Sequence, residues 1–110
     1  MRVISQDGTM DVPYEMVVIQ RFKEDVYFLN RNLTGVEDLV NDIRLAKYST
    51  EAKAIKAMEM LREQHEKVAF LKTIINTEKG ISFVRGLSKT DFDKMTQNYF
   101  QFPKDDEMEV

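Results

Sequence analysis

Apolar residues along this chain change period near its middle, and that change organises everything else. Through residue 48 they cluster in short, β-branched runs divided by turn chemistry. Arg2-Val3-Ile4-Ser5 predicts a strand, Gln6-Asp7-Gly8 a tight turn, and Thr9 to Val12 the returning strand. Asp-Gly supplies positive φ at low steric cost, while Pro13 has no N–H for a ladder and stops the return. Met16 to Phe22 is the strongest strand signal, being β-branched and apolar at its centre. Lys23-Glu24-Asp25 turns the chain back into Val26 to Leu29. Asn30 to Gly35 reads as a loop, and Val36, Leu39, Val40 and Ile43 as a short helical turn. Ile43 to Tyr48 predicts a further strand.

From Ser49 the spacing becomes helical. Ser49 or Thr50 can cap the first turn by accepting an orphan backbone N–H. Ile55, Met58, Leu61, His65, Val68 and Ile75 then recur on one stripe, with Lys53, Lys56, Glu59, Glu63 and Glu66 opposite. Asn76 can cap a second helix through Arg85, with Gly86 as its stop. Alternation of Ile81 and Phe83 leaves a strand over Ile81 to Arg85 open as the competing reading. Ser88 to Asp91 has capping-box spacing, and Phe92, Met95 and Tyr99 mark a short terminal helix. Phe100-Gln101-Phe102-Pro103 reads as extended chain returning to the core. The expected fold is α+β: an N-terminal antiparallel sheet packed on a long amphipathic helix, with a helical C-terminal extension and an acidic tail. Residues 1–103 form one domain, β-rich over 1–48, with the long helix over 49–76 and the extension over 77–103.

Charge refines the two ends of this picture. Lys104 to Val110 holds one lysine and four acids and so carries the whole net charge of −3. Such a tail reads as solvated, disordered chain. The body is neutral and lacks the basic stripe of a nucleic-acid binder. No apolar run approaches the roughly 18 residues of a membrane span, and the N-terminus has no apolar leader segment. With no cysteine, thiolate catalysis, disulfides and Cys-ligated metals are excluded. A cytoplasmic location agrees with that composition.

Catalytic chemistry finds little support. His65 is the only histidine and lies on the apolar stripe, where a packed boundary role is expected. The four glycines form no phosphate-binding pattern. Asp91/Asp93 and Glu37/Asp38 fit helix starts and solvated faces. The expectation is therefore a binding protein, not an enzyme, with neither cofactor nor metal. The segment between Gly80 and Gly86 offers Phe83 to stack on a planar base and Arg85 to hold a phosphate. A buried Phe beside a solvent-facing Arg is the bland alternative.

Three stretches, MRVISQDGTMDVPYE, YSTEAKAIKAMEMLREQ and FQFPKDDE, together resemble a family of small phage and prophage proteins of Firmicutes. That family is similar to, or includes, the phage anti-Thoeris proteins that sequester a cyclic ADP-ribose signal. The matched stretches cover a little over a third of the chain. Val68 to Tyr99 departs from the shorter members as an added helical segment, so no ligand residue of the family is carried over. The resemblance implies an anti-defence sponge: a homodimer or higher homo-oligomer holding a cyclic adenine nucleotide without turnover. Arg85, Phe83, Arg21 and Arg44 have the side chains such a pocket requires. Dimerisation is expected through the extension, which adds Phe83, Val84, Leu87, Phe92, Tyr99, Phe100 and Phe102. The alternative is a phage inhibitor or adaptor acting on a host enzyme or CRISPR-type nuclease.

Overall fold

A computed structural model describes residues 1–30, 43–74, 77–90 and 97–108. The chain is α+β, with strands β1 (Arg2–Ile4), β2 (Asp11–Pro13), β3 (Val17–Phe22), β4 (Asp25–Asn30) and β5 (Arg44–Lys47) preceding helix α1 (Glu51–Ile74). Helix α2 (Glu78–Arg85) and strand β6 (Tyr99–Gln101) follow, and short 3-10 turns occupy Tyr14–Met16 and Asp105–Glu107.

The expected antiparallel β-rich half is divided into two three-stranded sheets. One has the order β2-β1-β6 and the other β3-β4-β5. Pro13 ends β2, and the 3-10 turn after it separates β2 from β3. β1 therefore takes its second partner from the far end of the chain, pairing in parallel with β6. Val12, Val3 and Phe100 lie opposite one another across this sheet, and all three are buried. The β1–β2 turn forms where the Asp-Gly signal places it, with Gly8 at φ 79°. In the second sheet β3 meets β4 around Lys23 and Glu24, and Lys23 takes a positive φ of 54°.

Helix α1 begins where its capping chemistry allows. Thr50 Oγ1 accepts the Lys53 N–H at 3.2 Å. Its buried face is Ala54, Ala57, Leu61, Val68 and Leu71. That face is rotated from the expected stripe, because alanines let the helix approach the sheet closely, and Ile55 stays 40% exposed. His65 stacks on Tyr14 with ring centroids 4.3 Å apart, a packing role as expected.

The segment Ile81 to Arg85 is helical, so the strand alternative does not form. Thr77 caps α2: its hydroxyl accepts the Gly80 N–H at 2.9 Å and donates to the Ile74 carbonyl at 2.8 Å. Asn76, the expected cap, lies outside the described residues, as do Ile75, the turn at Val36 to Val40, and Asp91 to Met95 of the expected terminal helix. Tyr99, expected on that helix, opens β6 instead, because its strand continues straight into the extended Phe100–Phe102 run.

The C-terminal tail is laid onto the body over Lys104 to Met108, where its charge pattern predicted disordered chain. Met108 is buried in the core cluster, and Asp105 bonds to the start of α1. An apolar anchor and a paired carboxylate outweigh the solvation of its neighbours. Among the described residues, no helix is long and apolar enough to cross a membrane.

Candidate binding cleft

The four residues expected to bind a ligand do not converge. Arg21 sits on β3 opposite Val26, facing inward, and its guanidinium bonds Glu51 and the Lys23 carbonyl, each at 2.9 Å. Arg44 sits on β5 opposite Tyr27, on the other face of the sheet, and is exposed. Phe83 and Arg85 are exposed on α2. That helix follows the far end of α1, about 36 Å from Glu51 for a helix of this length. Arg21 is thus committed to an ion pair, and α2 is too distant to share a pocket with either strand arginine.

A different place has the shape of a site. A cleft of about 530 Å³ opens between α1 and the β6 strand with its continuation. Volumes of roughly 300–1,000 Å³ are usual for small-molecule pockets. One wall is a single helix stripe, Met60, Glu63, Gln64 and Lys67, at the i, i+3, i+4, i+7 spacing that brings side chains onto one face. The other wall is Tyr99 to Lys104 with Glu107, and Gln6 and Gln97 close the ends.

Side-chain amide bonds hold these walls in place. Gln64 Nε2 donates to the Gln97 carbonyl at 2.7 Å, tying α1 to the chain that enters β6. Gln97 Nε2 donates to the Tyr99 carbonyl at 3.1 Å. Gln6 joins three segments: its backbone N–H bonds the Leu45 carbonyl, its amide oxygen accepts the Lys47 N–H, and its Nε2 donates to the Pro103 carbonyl. The same carbonyl accepts the Tyr48 hydroxyl at 2.8 Å. Burial, with the nearby carboxylates of Asp105 and Glu107, pushes the Tyr48 phenol well above its ordinary range, so it remains a donor.

The cleft's chemistry is mixed. Lys67 and Lys104 both line it, and neither forms an ion pair among the described residues. Tyr99 is 46% exposed and offers a ring at the rim. Glu63 and Glu107 supply carboxylate acceptors, and the glutamines supply amides. Ammonium groups suit phosphates, carboxylates suit hydroxyl or exocyclic amine donors, and an aromatic face suits a planar base. The chain matches no protein-family model, no curated protein and no solved structure.

Sequence reasoning did not assemble this cleft. The Met60–Lys67 stripe flanks the apolar face and reads as ordinary helix surface. Its opposite wall comes from a strand pairing between the two ends of the chain, which leaves no local signal. Among the described residues no group of three His, Asp or Glu side chains is placed to hold a metal ion.

Proposed function

We propose that this chain is a binding protein that sequesters an adenine nucleotide in the α1–β6 cleft without turning it over. The supporting observation is the pairing of two ammonium groups, Lys67 and Lys104, with the exposed Tyr99 ring and a set of amides and carboxylates in one open recess. A nucleotide has phosphates for the lysines, a base for the ring, and hydroxyl and amine donors for Glu63 and Glu107. The resemblance to small phage proteins supplies the setting: an anti-defence sponge for a cyclic ADP-ribose type signal, working as a homo-oligomer in the host cytoplasm. Arg85, Phe83, Arg21 and Arg44 are replaced as ligand contacts by the cleft residues.

The test is mass spectrometry of small molecules released from protein purified out of cells with active nucleotide signalling. A phosphorylated adenine compound should be recovered intact and in stoichiometric amount. Release of a hydrolysed product, or of no nucleotide at all, would contradict the reading.

One observation favours a second reading, the protein-binding inhibitor or adaptor. β6 is an edge strand, and the bonds Arg2 N–H to Asn98 and Phe102 N–H to Ile4 turn its even-numbered main-chain groups toward β1. Tyr99 and Gln101 therefore turn theirs to the open side, where the Tyr99 carbonyl already accepts Gln97 Nε2 and the Gln101 N–H and carbonyl are left for an extended segment of a host protein to add as a strand. Gln101→Pro removes one outward donor without touching the ladder. Loss of capture of a host protein by this variant supports strand addition, and unchanged capture removes it.

A further inference from the structure

The carboxylate of Asp105 ties the C-terminal segment to the start of α1. Its Oδ1 accepts the Ser49 N–H at 2.7 Å, just ahead of α1. Its Oδ2 and backbone carbonyl both receive the Lys53 ammonium, at 3.4 and 3.1 Å. Lys53 is only 16% exposed, so its charge is held close against the chain it binds. These bonds hold the Ser49 donor of Asp105 and its lysine together, and they keep the carboxyl below its ordinary pKa.

The segment so fastened is a partition. On one side lies the 530 Å³ cleft, and on the other a smaller recess of about 350 Å³ that includes Lys56 and Met108. Met60, Pro103 and Glu107 line both. Its ends are anchored separately, upstream by buried Phe102 and downstream by buried Met108. The Pro103 carbonyl is held by Gln6 and Tyr48; from Lys104 to Glu107, the only side-chain bonds among the described residues that tie the segment to α1 and its start are those of Asp105.

We infer that Asp105 is a positioning residue, a latch that fixes the strap Lys104 to Met108 across α1 and so sets Lys104 and Glu107 at the cleft. Opening the latch would let the partition shift, join the two recesses and draw Lys104 away from Lys67. Ligand affinity would then depend on a residue that does not touch the ligand. This regulation rests on the cleft being the nucleotide site, as proposed above.

The experiment compares the full chain with Asp105→Ala, Asp105→Asn and Lys53→Met, reading two quantities. The first is amide exchange at Glu107 and Met108, whose N–H groups bond within the strap to Lys104 and Asp105 and not to the latch carboxylate. The second is calorimetric affinity for ADP and for cyclic ADP-ribose. In Asp105→Ala these amides should exchange roughly tenfold faster, with β1 and β6 unchanged. Affinity should fall roughly fivefold or more, with Asp105→Asn and Lys53→Met between. Wild-type exchange rates in Asp105→Ala would overturn the latch. Faster exchange with unchanged affinity would overturn the positioning role and leave the site standing. Faster exchange with no binding by the wild-type chain would remove the nucleotide site and leave the latch standing.

Discussion

Asp7 shows how a polar residue can fix a turn without being buried. Its carboxylate accepts the Thr9 N–H at 3.0 Å and the Ser5 and Thr9 hydroxyls at 2.7 Å each. Those bonds, led by the Thr9 backbone, lower its pKa from 3.8 to about 2. A depressed carboxyl pKa stabilises the fold above the ordinary value, and that contribution is lost as pH falls through the folded value. Glu15, lowered by the terminal ammonium, and Asp105 act with the same sign. The drop in Tm between about pH 5 and about pH 2.5 should therefore be smaller in Asp7→Asn than in wild type. An equal drop in both proteins would show that Asp7 does not contribute. The Pro103 carbonyl gives a second residue-scale expectation, because Gln6 and Tyr48 both donate to it. Gln6→Ala and Tyr48→Phe should each cost about 1 kcal/mol in denaturant unfolding. The double variant should cost more than their sum, since only then is the carbonyl left without either donor. The Asp-Gly turn was legible because its signal is local. Gln6 was not, since its side-chain partners lie 41 and 97 residues away.

At the scale of elements, the long helix was plain from its period, yet its inward face was misplaced. The stripe through Ile55 follows large apolar residues, whereas Ala54 and Ala57, both fully buried, lie on the face the helix turns inward. Ala57→Leu should therefore destabilise by about 1–3 kcal/mol through overpacking. Ile55→Ala, at an exposed position, should stay within about 0.5 kcal/mol. Thermal or urea melts of the two variants check the order, and a larger loss from Ile55→Ala would refute the assigned face. The α1–α2 corner depends on Gly80, where a Cβ would run into the Ile74 carbonyl oxygen. Gly80→Ala should lower Tm despite the better helix propensity of alanine, and a rise in Tm would contradict the close approach. Strand pairing was half legible. The β1–β2 and β3–β4 hairpins follow from turns in the sequence, but β1–β6 is a parallel pairing between chain ends that periodicity does not encode.

For the whole molecule, the same long-range pairing decides which apolar residues remain available to a partner. Phe100 and Phe102 return to the chain's own core, as their extended run predicts, where they are buried and stack edge-to-face at 5.1 Å, and so are not available to the interface expected of the extension. Phe70, Ile81, Phe83 and Tyr99 remain exposed. If the proposed homo-oligomer forms through the helical extension, Phe83→Glu should give folded monomers in size-exclusion chromatography with light scattering. A persistent oligomer would place the interface elsewhere. The proposed binding cleft is likewise a product of the whole fold, uniting residues from the first turn, the middle helix and the last strand. Its direct test is isothermal titration of the wild-type chain and the Lys67→Met/Lys104→Met double variant with cyclic ADP-ribose and linear adenine nucleotides. Saturable, reversible heat in the wild type, lost in a folded double variant, with ligand recovered unchanged, is the expected result. No heat from folded wild-type protein, or equal binding by the double variant, would contradict nucleotide sequestration in this cleft.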